Sequence, residues 1–165
     1  MRVTDYWTIA FVRSVRDLTP TVRELELVPD DGAIAFAAGS HIDVRVHLRD
    51  GDTVRQETRS YSLVGRPDGH SYRIAVKRLD DGLGGWRYMW TLAPGARVSI
   101  SSPANHFVLD LAAQRVLLIA GGIGITPIVG MAQTLSDRGA DVSMCYGARS
   151  AAEFAYLDLL RAALG

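Results

Sequence analysis

The spacing of apolar residues changes character once along the chain, near residue 110. Before that point apolar and polar residues alternate, most clearly from Ile42 to Arg49. A period of two places one apolar and one polar face on a half-buried antiparallel strand. Beyond that point a continuous apolar run is followed by apolar residues at helical spacing. The sequence therefore predicts two successive architectures in one chain.

Five further runs in the first part have the composition of strands. They are WTIAFVRSV, TVRELELV, RSYSLVG, YRIAVKR and ARVSISS, and they are separated by DLTP, PDDG, RDGD, RPDG and LAPG. The separating segments are rich in the residues that favour turns. Short strands at this spacing are typical of an antiparallel barrel or sandwich. We therefore predict an all-β antiparallel domain over residues 1–110.

Residues 111–165 are predicted to begin an α/β domain with a parallel sheet. RVLLIAGG indicates a strand buried on both faces, because it is continuously apolar before its glycines. In the helix that follows, Thr126 is the expected N-cap, Pro127 the first residue and Gly139 the C-terminal stop. DVSMCYGAR then predicts a second strand and AAEFAYLDLLRAAL a second helix. Two strands are few for a nucleotide-binding sheet, so we expect a truncated domain, either a fragment or a reduced variant.

Charge and cysteine content exclude several classes of protein. The 18 basic and 18 acidic residues cancel without forming blocks, so neither nucleic acid nor a membrane surface is an expected partner. No apolar run approaches the ~18 residues of a membrane span, and MRVTDYWTIA lacks signal-peptide features, so we expect a cytoplasmic location. Cys145 is the only cysteine, which excludes an internal disulfide and a cysteine-ligated metal site in these residues. The four histidines form no recognisable metal motif, and no metal site is predicted.

A glycine-rich segment, GGIGITP at residues 121–127, joins the first buried strand to its helix. Glycines let a backbone approach a pyrophosphate, and a helix N-terminus presents unpaired amides to an anion. The segment departs from the pattern G-x-G-x-x-G, because proline stands at the third glycine position. A plain strand-to-helix turn is the alternative. The candidate nucleotide contacts are Gly121, Gly122, Gly124, Thr126 and Pro127.

RSYSL, residues 59–63, places a cation, two hydroxyls and a phenol in a strand that is otherwise apolar. R-x-Y-S followed by an apolar residue, upstream of GGIGITP, resembles the flavin signature of the ferredoxin-NADP reductase superfamily. The resemblance implies that Arg59 pairs with a flavin phosphate, which suits the guanidinium fork. It also implies that Tyr61 lies against the isoalloxazine ring and that Ser62 hydrogen-bonds near flavin N5, which makes these two the predicted catalytic residues. Ser60 and Leu63 complete the predicted flavin-binding segment, and an exposed strand with an incidental Arg and Tyr is the alternative.

AVKRLDDGLGGW, residues 75–86, is similar to the second flavin-phosphate segment of that superfamily. There, a strand ends in basic residues and a glycine-rich turn opens a helix. The candidate contacts are Lys77, Arg78, Gly84 and Gly85. The superfamily often has Ser or Thr after the glycines, whereas this chain has Trp86, so we expect one hydroxyl contact to be absent. A compact cationic site suits a terminal phosphate with about two negative charges, which favours FMN over the alternative, FAD.

Two later segments point to one branch of the superfamily. SSPANHFVLD and CYGARSAAEFAYLDLL resemble the linker and the second nucleotide strand and helix of the phthalate dioxygenase reductase and vanillate demethylase reductase branch. Arg149 and Ser150 follow that strand, where family members meet the adenosine ribose or a 2′-phosphate. A solvated loop with a helix N-cap is the alternative for this pair.

The resemblance also implies an activity and its partners. The expected reaction is hydride transfer from NADH or NADPH to a flavin, followed by release of single electrons. The electrons would pass through an iron–sulfur domain or protein to a Rieske-type oxygenase. Two alternatives remain: a stand-alone flavin reductase or diaphorase, and a non-enzymatic flavin-binding module.

Overall fold

The structure is a computed structural model that describes residues 6–51, 53–79 and 84–165. The start of MRVTDYWTIA, the last residue of the RDGD turn and residues 80–83 of the second phosphate segment lie outside these ranges. Within them the strands are β1 (Trp7–Thr19), β2 (Val22–Pro29), β3 (Ser40–Asp50), β4 (Thr53–Ser62), β5 (Tyr72–Lys77), β6 (Arg97–Ser101), β7 (Ala104–Asn105), β8 (Arg115–Gly121) and β9 (Asp141–Gly147). The α-helices are α1 (Gly85–Thr91), α2 (Ile125–Asp137) and α3 (Leu157–Leu164).

Strands β1 to β7 form one curled antiparallel sheet. The strand order is β4-β3-β6-β1-β2-β5, and β7 pairs with β3. The two ends of this order meet, because Leu63, directly after β4, forms an isolated bridge with Ile74 of β5. In the middle of β3 alternate residues are fully buried, namely Ile42, Val44 and Val46. The antiparallel barrel predicted from the alternating pattern is therefore confirmed.

Strands β8 and β9 form a separate parallel sheet, paired from Arg115 and Asp141 to Gly121 and Gly147. Helix α2 connects them and contacts both. Leu118 of β8 is buried in the same apolar cluster as the inward face of α2. The predicted order of strand, glycine segment, helix, strand and helix is confirmed, and so is the α/β class of this part of the chain with its parallel sheet.

The prediction that β8 is buried on both faces is wrong. Leu117 and Ile119 are 58% and 69% exposed, whereas Leu118 between them is 5% exposed. Alternate β8 side chains point to opposite faces of the sheet. Among the described elements, α2 packs on the Leu118 face. An apolar run shows that a strand has two apolar faces but does not show which face is covered.

The predicted start of α2 is also wrong in detail. A 3-10 helix over Gly122–Gly124 runs directly into α2, so Gly124 is the residue before the helix. Thr126 lies inside the first turn, and its hydroxyl donates to the carbonyl oxygen of Ile123 at 3.0 Å. Pro127 is the third helical residue, still within the first turn, where a missing N–H breaks no intrahelical bond. The predicted C-terminal stop is confirmed, because α2 ends at Asp137 and Gly139 has a φ of +70°.

The second predicted helix is interrupted. Residues 151–153 form a 3-10 helix, and α3 begins only at Leu157. Between them Phe154 is extended, and Tyr156 has a φ of 61°, in the left-handed region. The Phe154 ring packs edge-on against the Tyr146 ring, and the Tyr156 hydroxyl bonds Glu24 of β2. These contacts hold the chain in a conformation that a continuous helix would not allow.

The barrel and α2 meet at two glycines. A Cβ on Gly130 of α2 would lie 2.7 Å from the carbonyl oxygen of Gly65, so the two backbones are in direct contact. This contact fixes where the start of α2 lies relative to the end of β4. None of the three α-helices in the described part of the chain combines the length and the apolar composition of a membrane-crossing segment.

Candidate functional site

A cavity of about 430 Å³ lies between the barrel and the segment that joins β8 to α2. Its walls come from the end of β4, from the end of β5 with the start of α1, and from the glycine-rich segment. The lining residues are Arg59, Ser60, Tyr61, Ser62, Ala75, Val76, Lys77, Leu79, Gly85, Trp86, Ile123, Gly124, Thr126 and Pro127. The structure thus brings the RSYSL and GGIGITP segments to one cavity, as expected from the sequence.

Several sequence-predicted residues do not line this cavity. The side chain of Leu63 belongs to the barrel core, and Gly84 precedes α1 with a φ of +87°. The guanidinium carbon of Arg78 lies 5.7 Å from the centroid of a Trp90 ring. The predicted residues outside the lining are Leu63, Arg78, Gly84, Gly121, Gly122, Arg149 and Ser150.

Arg59 is the cation of the β4 wall. Its guanidinium forms an ion pair with Glu57 and donates to the carbonyl oxygen of Thr58 at 2.9 Å. A guanidinium has five donor hydrogens, so these two partners leave donors free for an anion. A Cβ on Gly85 would lie 3.1 Å from Arg59 Nε, so the glycine is what allows α1 to approach this side chain so closely.

Tyr61 supplies a flat and uncharged wall. Burial raises the pKa of its phenol to about 12, and the nearby positive charge of Arg59 only partly offsets this effect. The ring therefore stays neutral at physiological pH. Ser62, on the adjacent position, lines the same cavity, while the hydroxyl of Ser60 donates to Asp43 of β3. The end of the strand thus contributes both Tyr61 and Ser62 to the cavity wall.

The glycine-rich segment forms the opposite wall. An added Cβ on Gly124 would meet nothing within 4 Å, so its backbone is open to close approach. Thr126 is buried, and its hydroxyl is already engaged by the Ile123 carbonyl. The hydroxyl of Tyr146, from β9, is 3.4 Å from the carbonyl oxygen of Gly122. The backbone of this wall is therefore open to a ligand at Gly124, while hydrogen bonds to the carbonyl oxygens of Gly122 and Ile123 hold it in place.

Lys77 lines the cavity, but its charge is already paired. Its Nζ donates to Oε2 of Glu153 at 3.1 Å, and the two side chains are 16% and 14% exposed. Arg149 and Ser150, which precede Glu153 along the chain, are exposed. Ser150 is the residue before the 3-10 helix over 151–153, yet its side chain makes no capping hydrogen bond.

Sequence reasoning missed five of the lining residues, namely Ala75, Val76, Leu79, Trp86 and Ile123. Four are apolar side chains that shape the walls and carry no motif. Trp86 had a visible signal, since a large ring directly after two glycines is unusual, but we interpreted it only as a lost hydroxyl. Its Nε1 is buried and has no hydrogen-bond partner among the described residues. Such orphaned donors are rare in folded proteins.

Comparison with known proteins agrees with this architecture. A family model described as "Oxidoreductase NAD-binding domain" matches residues 118–164. The beta subunit of a heme-dependent oxidative N-demethylase from Ectopseudomonas mendocina (strain ymp) is 41% identical over 157 residues, which cover 93% of this chain and 48% of that protein. The vanillate O-demethylase oxidoreductase of Pseudomonas putida is also 41% identical over 157 residues, covering 93% of this chain and 47% of that protein.

A solved structure gives the same result. Phthalate dioxygenase reductase superposes with a TM-score of 0.81 at 30% identity, covering 94% of this chain and 47% of that chain. Shared sequence over nearly the whole chain, with the same fold, makes the protein a member of the ferredoxin-NADP reductase superfamily. More narrowly, it belongs to the branch that contains phthalate dioxygenase reductase and vanillate O-demethylase oxidoreductase. The chain spans about half the length of the curated relatives it matches.

Proposed function

We propose that the chain is the flavin-binding and nucleotide-binding part of an NAD(P)H-dependent oxidoreductase, the reductase component of a Rieske-type oxygenase system. The observation that carries this proposal is the single cavity shared by residues 59–62 and residues 123–127. An electron-transfer flavoprotein requires a flavin pocket that opens toward a nucleotide site, and the cavity has one wall from each. Relatives named as oxidoreductase or reductase subunits of demethylase and monooxygenase systems support the proposal.

The residues present fit a flavin. The cavity volume of about 430 Å³ is in the range of small-molecule sites. Arg59 offers charge, Tyr61 offers a neutral ring face, and Gly85 lacks the side chain that would crowd Arg59. The buried Nε1 of Trp86, a residue that lines the same cavity, has no acceptor within residues 6–51, 53–79 and 84–165, and a polar ligand could provide one. The cavity volume and these four residues together suit a ligand that combines an aromatic ring with a negative charge.

We assign roles to the residues on the flavin side from these contacts. Arg59 binds the flavin phosphate, helped by Arg78 and by the backbone at Gly84 and Gly85. Tyr61 holds the ring by flat contact, and Ser62 places a hydroxyl beside it. Ser60 and Leu63 fix the strand, through Asp43 and the barrel core respectively.

On the nucleotide side, residues 121–127 give a close backbone approach, and Arg149 with Ser150 binds the adenosine end. A flavin, when bound, accepts a hydride from NADH or NADPH and releases single electrons. The chain contributes alignment and exclusion of water, since hydride transfer depends on geometry. No residue is assigned to acid–base chemistry.

We further propose that the flavin is FMN. A terminal phosphate concentrates charge, which suits the guanidinium of Arg59 and the glycine turn before α1. FAD is the alternative, and one observation favours it. A second cavity, of about 320 Å³, is lined by Gly84 and by His47 and Tyr88, whose ring centroids are 5.3 Å apart. Such a pair offers an aromatic wall of the kind an adenine needs.

The remaining parts of the proposal concern organisation and partners. Residues 1–110 form the flavin domain, and residues 111–165 form the first part of the nucleotide domain. The electron acceptors are an iron–sulfur domain or protein and then a Rieske-type oxygenase. Neither nucleic acid nor a membrane is proposed as a partner, and the expected location is the cytoplasm.

The test is direct. The purified protein, supplied with FMN and FAD together, is dialysed, and the flavin released by acid is identified by chromatography. Recovery of mainly FMN supports the finer proposal, and mainly FAD overturns it. Stopped-flow mixing with NADH or NADPH should then bleach the flavin absorbance. A protein that binds flavin without bleaching is a binding module, and the proposed reductase activity would be wrong.

A further inference from the structure

Lys77 stands at the end of β5, in the position where the sequence predicts a flavin-phosphate contact. The structure gives it a different partner. Its Nζ donates to Oε2 of Glu153, in the 3-10 helix that follows β9. Its Nζ is also 3.9 Å from where a Cβ on Gly122 would lie. The charged end of the Lys77 side chain therefore lies beside residues of the nucleotide side.

Glu153 receives a second hydrogen bond from the barrel. The hydroxyl of Thr21, in the turn between β1 and β2, donates to the same Oε2. The backbone carbonyl of Thr21 in turn accepts from the amide of Arg78 at 2.7 Å, which ties this turn to the end of β5. Hydrogen bonds from Thr21 and Lys77 lower the pKa of Glu153, so its carboxylate stays ionised at neutral pH. Two barrel donors thus converge on one oxygen.

The position of Glu153 determines the position of the residues before it. Its amide donates to the carbonyl oxygen of Ser150 at 3.1 Å, which closes the 3-10 turn that starts after Ser150. Immediately beyond it, the rings of Phe154 and Tyr146 are 4.9 Å apart. The turn is therefore held at Glu153 and Phe154, and Arg149 and Ser150 come directly before it.

We propose that Lys77, together with Thr21, is a positioning residue for nucleotide binding and does not bind the flavin phosphate. By holding Glu153 against the barrel, the pair fixes the turn that carries Arg149 and Ser150 at a set distance from the flavin side of the cavity. This inference rests on the proposed function, since it assigns those two residues to the nucleotide. Charge supports it, because a cation paired with a largely buried carboxylate attracts a second anion only weakly.

The experiment compares Lys77→Met, Glu153→Gln and the double variant with the wild-type protein. Binding of FMN, riboflavin and NADH is measured, together with kcat, KM and hydrogen exchange at residues 148–150. Both single variants should raise KM for NADH by about ten-fold with kcat little changed, because a loosened turn misplaces the nucleotide end. The double variant should be no worse than either single variant, and Lys77→Arg should restore much of the loss. Arg13→Met, which removes an exposed cation paired with Glu26, is the control.

Two results would overturn the inference. One is that Lys77→Met weakens the binding of FMN but not that of riboflavin, since that pattern would show that Lys77 contacts the flavin phosphate. The other is that Glu153→Gln leaves both NADH binding and hydrogen exchange at residues 148–150 unchanged. A wild-type protein that binds no NADH would contradict the proposed function instead. Faster exchange in both variants would still support the positioning role in that case, and unchanged exchange would reject it.

Discussion

Tyr156 donates a hydrogen bond to Oε2 of Glu24 at 2.8 Å, which joins the segment before α3 to strand β2 of the barrel. Both residues are buried, and Glu24 also pairs with Arg16 at 3.0 Å. Burial and the adjacent negative charge of Glu24 raise the pKa of Tyr156, so the phenol remains a donor. Tyr156 holds a left-handed backbone conformation that costs about 1–2 kcal/mol outside glycine, and this bond is one of the contacts that maintain it.

Tyr156→Phe should destabilise the protein by about 1–2 kcal/mol, because it leaves a buried carboxylate oxygen without its donor. Urea denaturation measures the change. Tyr6→Phe is the matched control, since the Tyr6 hydroxyl makes a bond of the same length to Asp31 at an exposed position. The control should change stability by less than about 0.5 kcal/mol. Equal effects in the two variants would show that burial at Glu24 does not matter.

Arg59→Ala should weaken flavin binding by about 1.5–3 kcal/mol, through loss of a charge-assisted contact to the phosphate. Fluorescence titration with FMN measures the dissociation constant of each variant. Arg55 provides the control, because it also pairs with Glu57 but does not line the cavity. Arg55→Ala should leave FMN affinity close to that of the wild type. An Arg59→Ala protein with unchanged affinity would remove Arg59 from the site.

Trp86→Phe should leave the free protein as stable as the wild type, because it removes a buried donor that has no described partner. The same change should weaken flavin binding by about 1 kcal/mol if the ligand supplies the acceptor. Trp90→Phe is the contrasting variant, since Trp90 Nε1 donates to the carbonyl oxygen of Val76 at 3.2 Å. That variant should lose stability even without flavin. Full flavin affinity in Trp86→Phe would place its N–H outside the site.

Substitution of Gly130 should affect stability, whereas substitution of Gly124 should affect nucleotide binding. Gly130→Ala should cost about 1–3 kcal/mol of stability, because its Cβ would meet the Gly65 backbone at 2.7 Å. Gly124→Ala has open space around its Cβ and should unfold like the wild type, but should weaken NADH binding by obstructing the backbone. Thermal unfolding and NADH titration distinguish them. Normal NADH affinity in Gly124→Ala would argue against a nucleotide at this wall.

Asp68 should contribute to stability in a pH-dependent way. Partial burial acts to raise its pKa, but hydrogen bonds from the His70 and Ser71 amides and from the Ser71 hydroxyl outweigh burial and lower the pKa to about 2. A carboxyl with a lowered folded pKa stabilises the protein above its unfolded pKa and loses that contribution as pH falls. The stability difference between wild type and Asp68→Asn should therefore shrink between about pH 4 and pH 2. Asp158→Asn, at a fully exposed side chain, should show no such change.

Much of the fold could be predicted because its signals are local. Three examples are the alternation in β3, the glycines before α2 and the stop at Gly139. Each depends on a few adjacent residues, and the structure has the predicted strand, strand-to-helix connection and helix end at these places. The cavity could be anticipated for a similar reason, since RSYSL and GGIGITP are contiguous motifs.

The errors came from contacts between distant parts of the chain. The break in the last helix at Tyr156 depends on Glu24, so no short window of sequence contains its cause. The hydrogen bond between Lys77 and Glu153, which the sequence did not predict, likewise joins two distant segments. The exposure of Leu117 depends on which sheet face α2 covers. The place of Trp86 in the cavity wall was missed because the residue was compared with the Ser or Thr usual in the motif and not with the space around it.

The two ends of the barrel sheet are joined by the bridge between Leu63 and Ile74 and by the amide of Val64, which donates to the carbonyl oxygen of Arg73 at 2.8 Å, and the cavity lies along this joint. Its lining includes the end of β4 at Ser62 and the end of β5 at Val76, the two strands at opposite ends of the sheet order. A bound molecule would therefore contact both strands across this joint. Ligand affinity and resistance to unfolding would then rise together. Each ten-fold increase in the ratio of free ligand concentration to Kd would add about 1.4 kcal/mol to the free energy of unfolding.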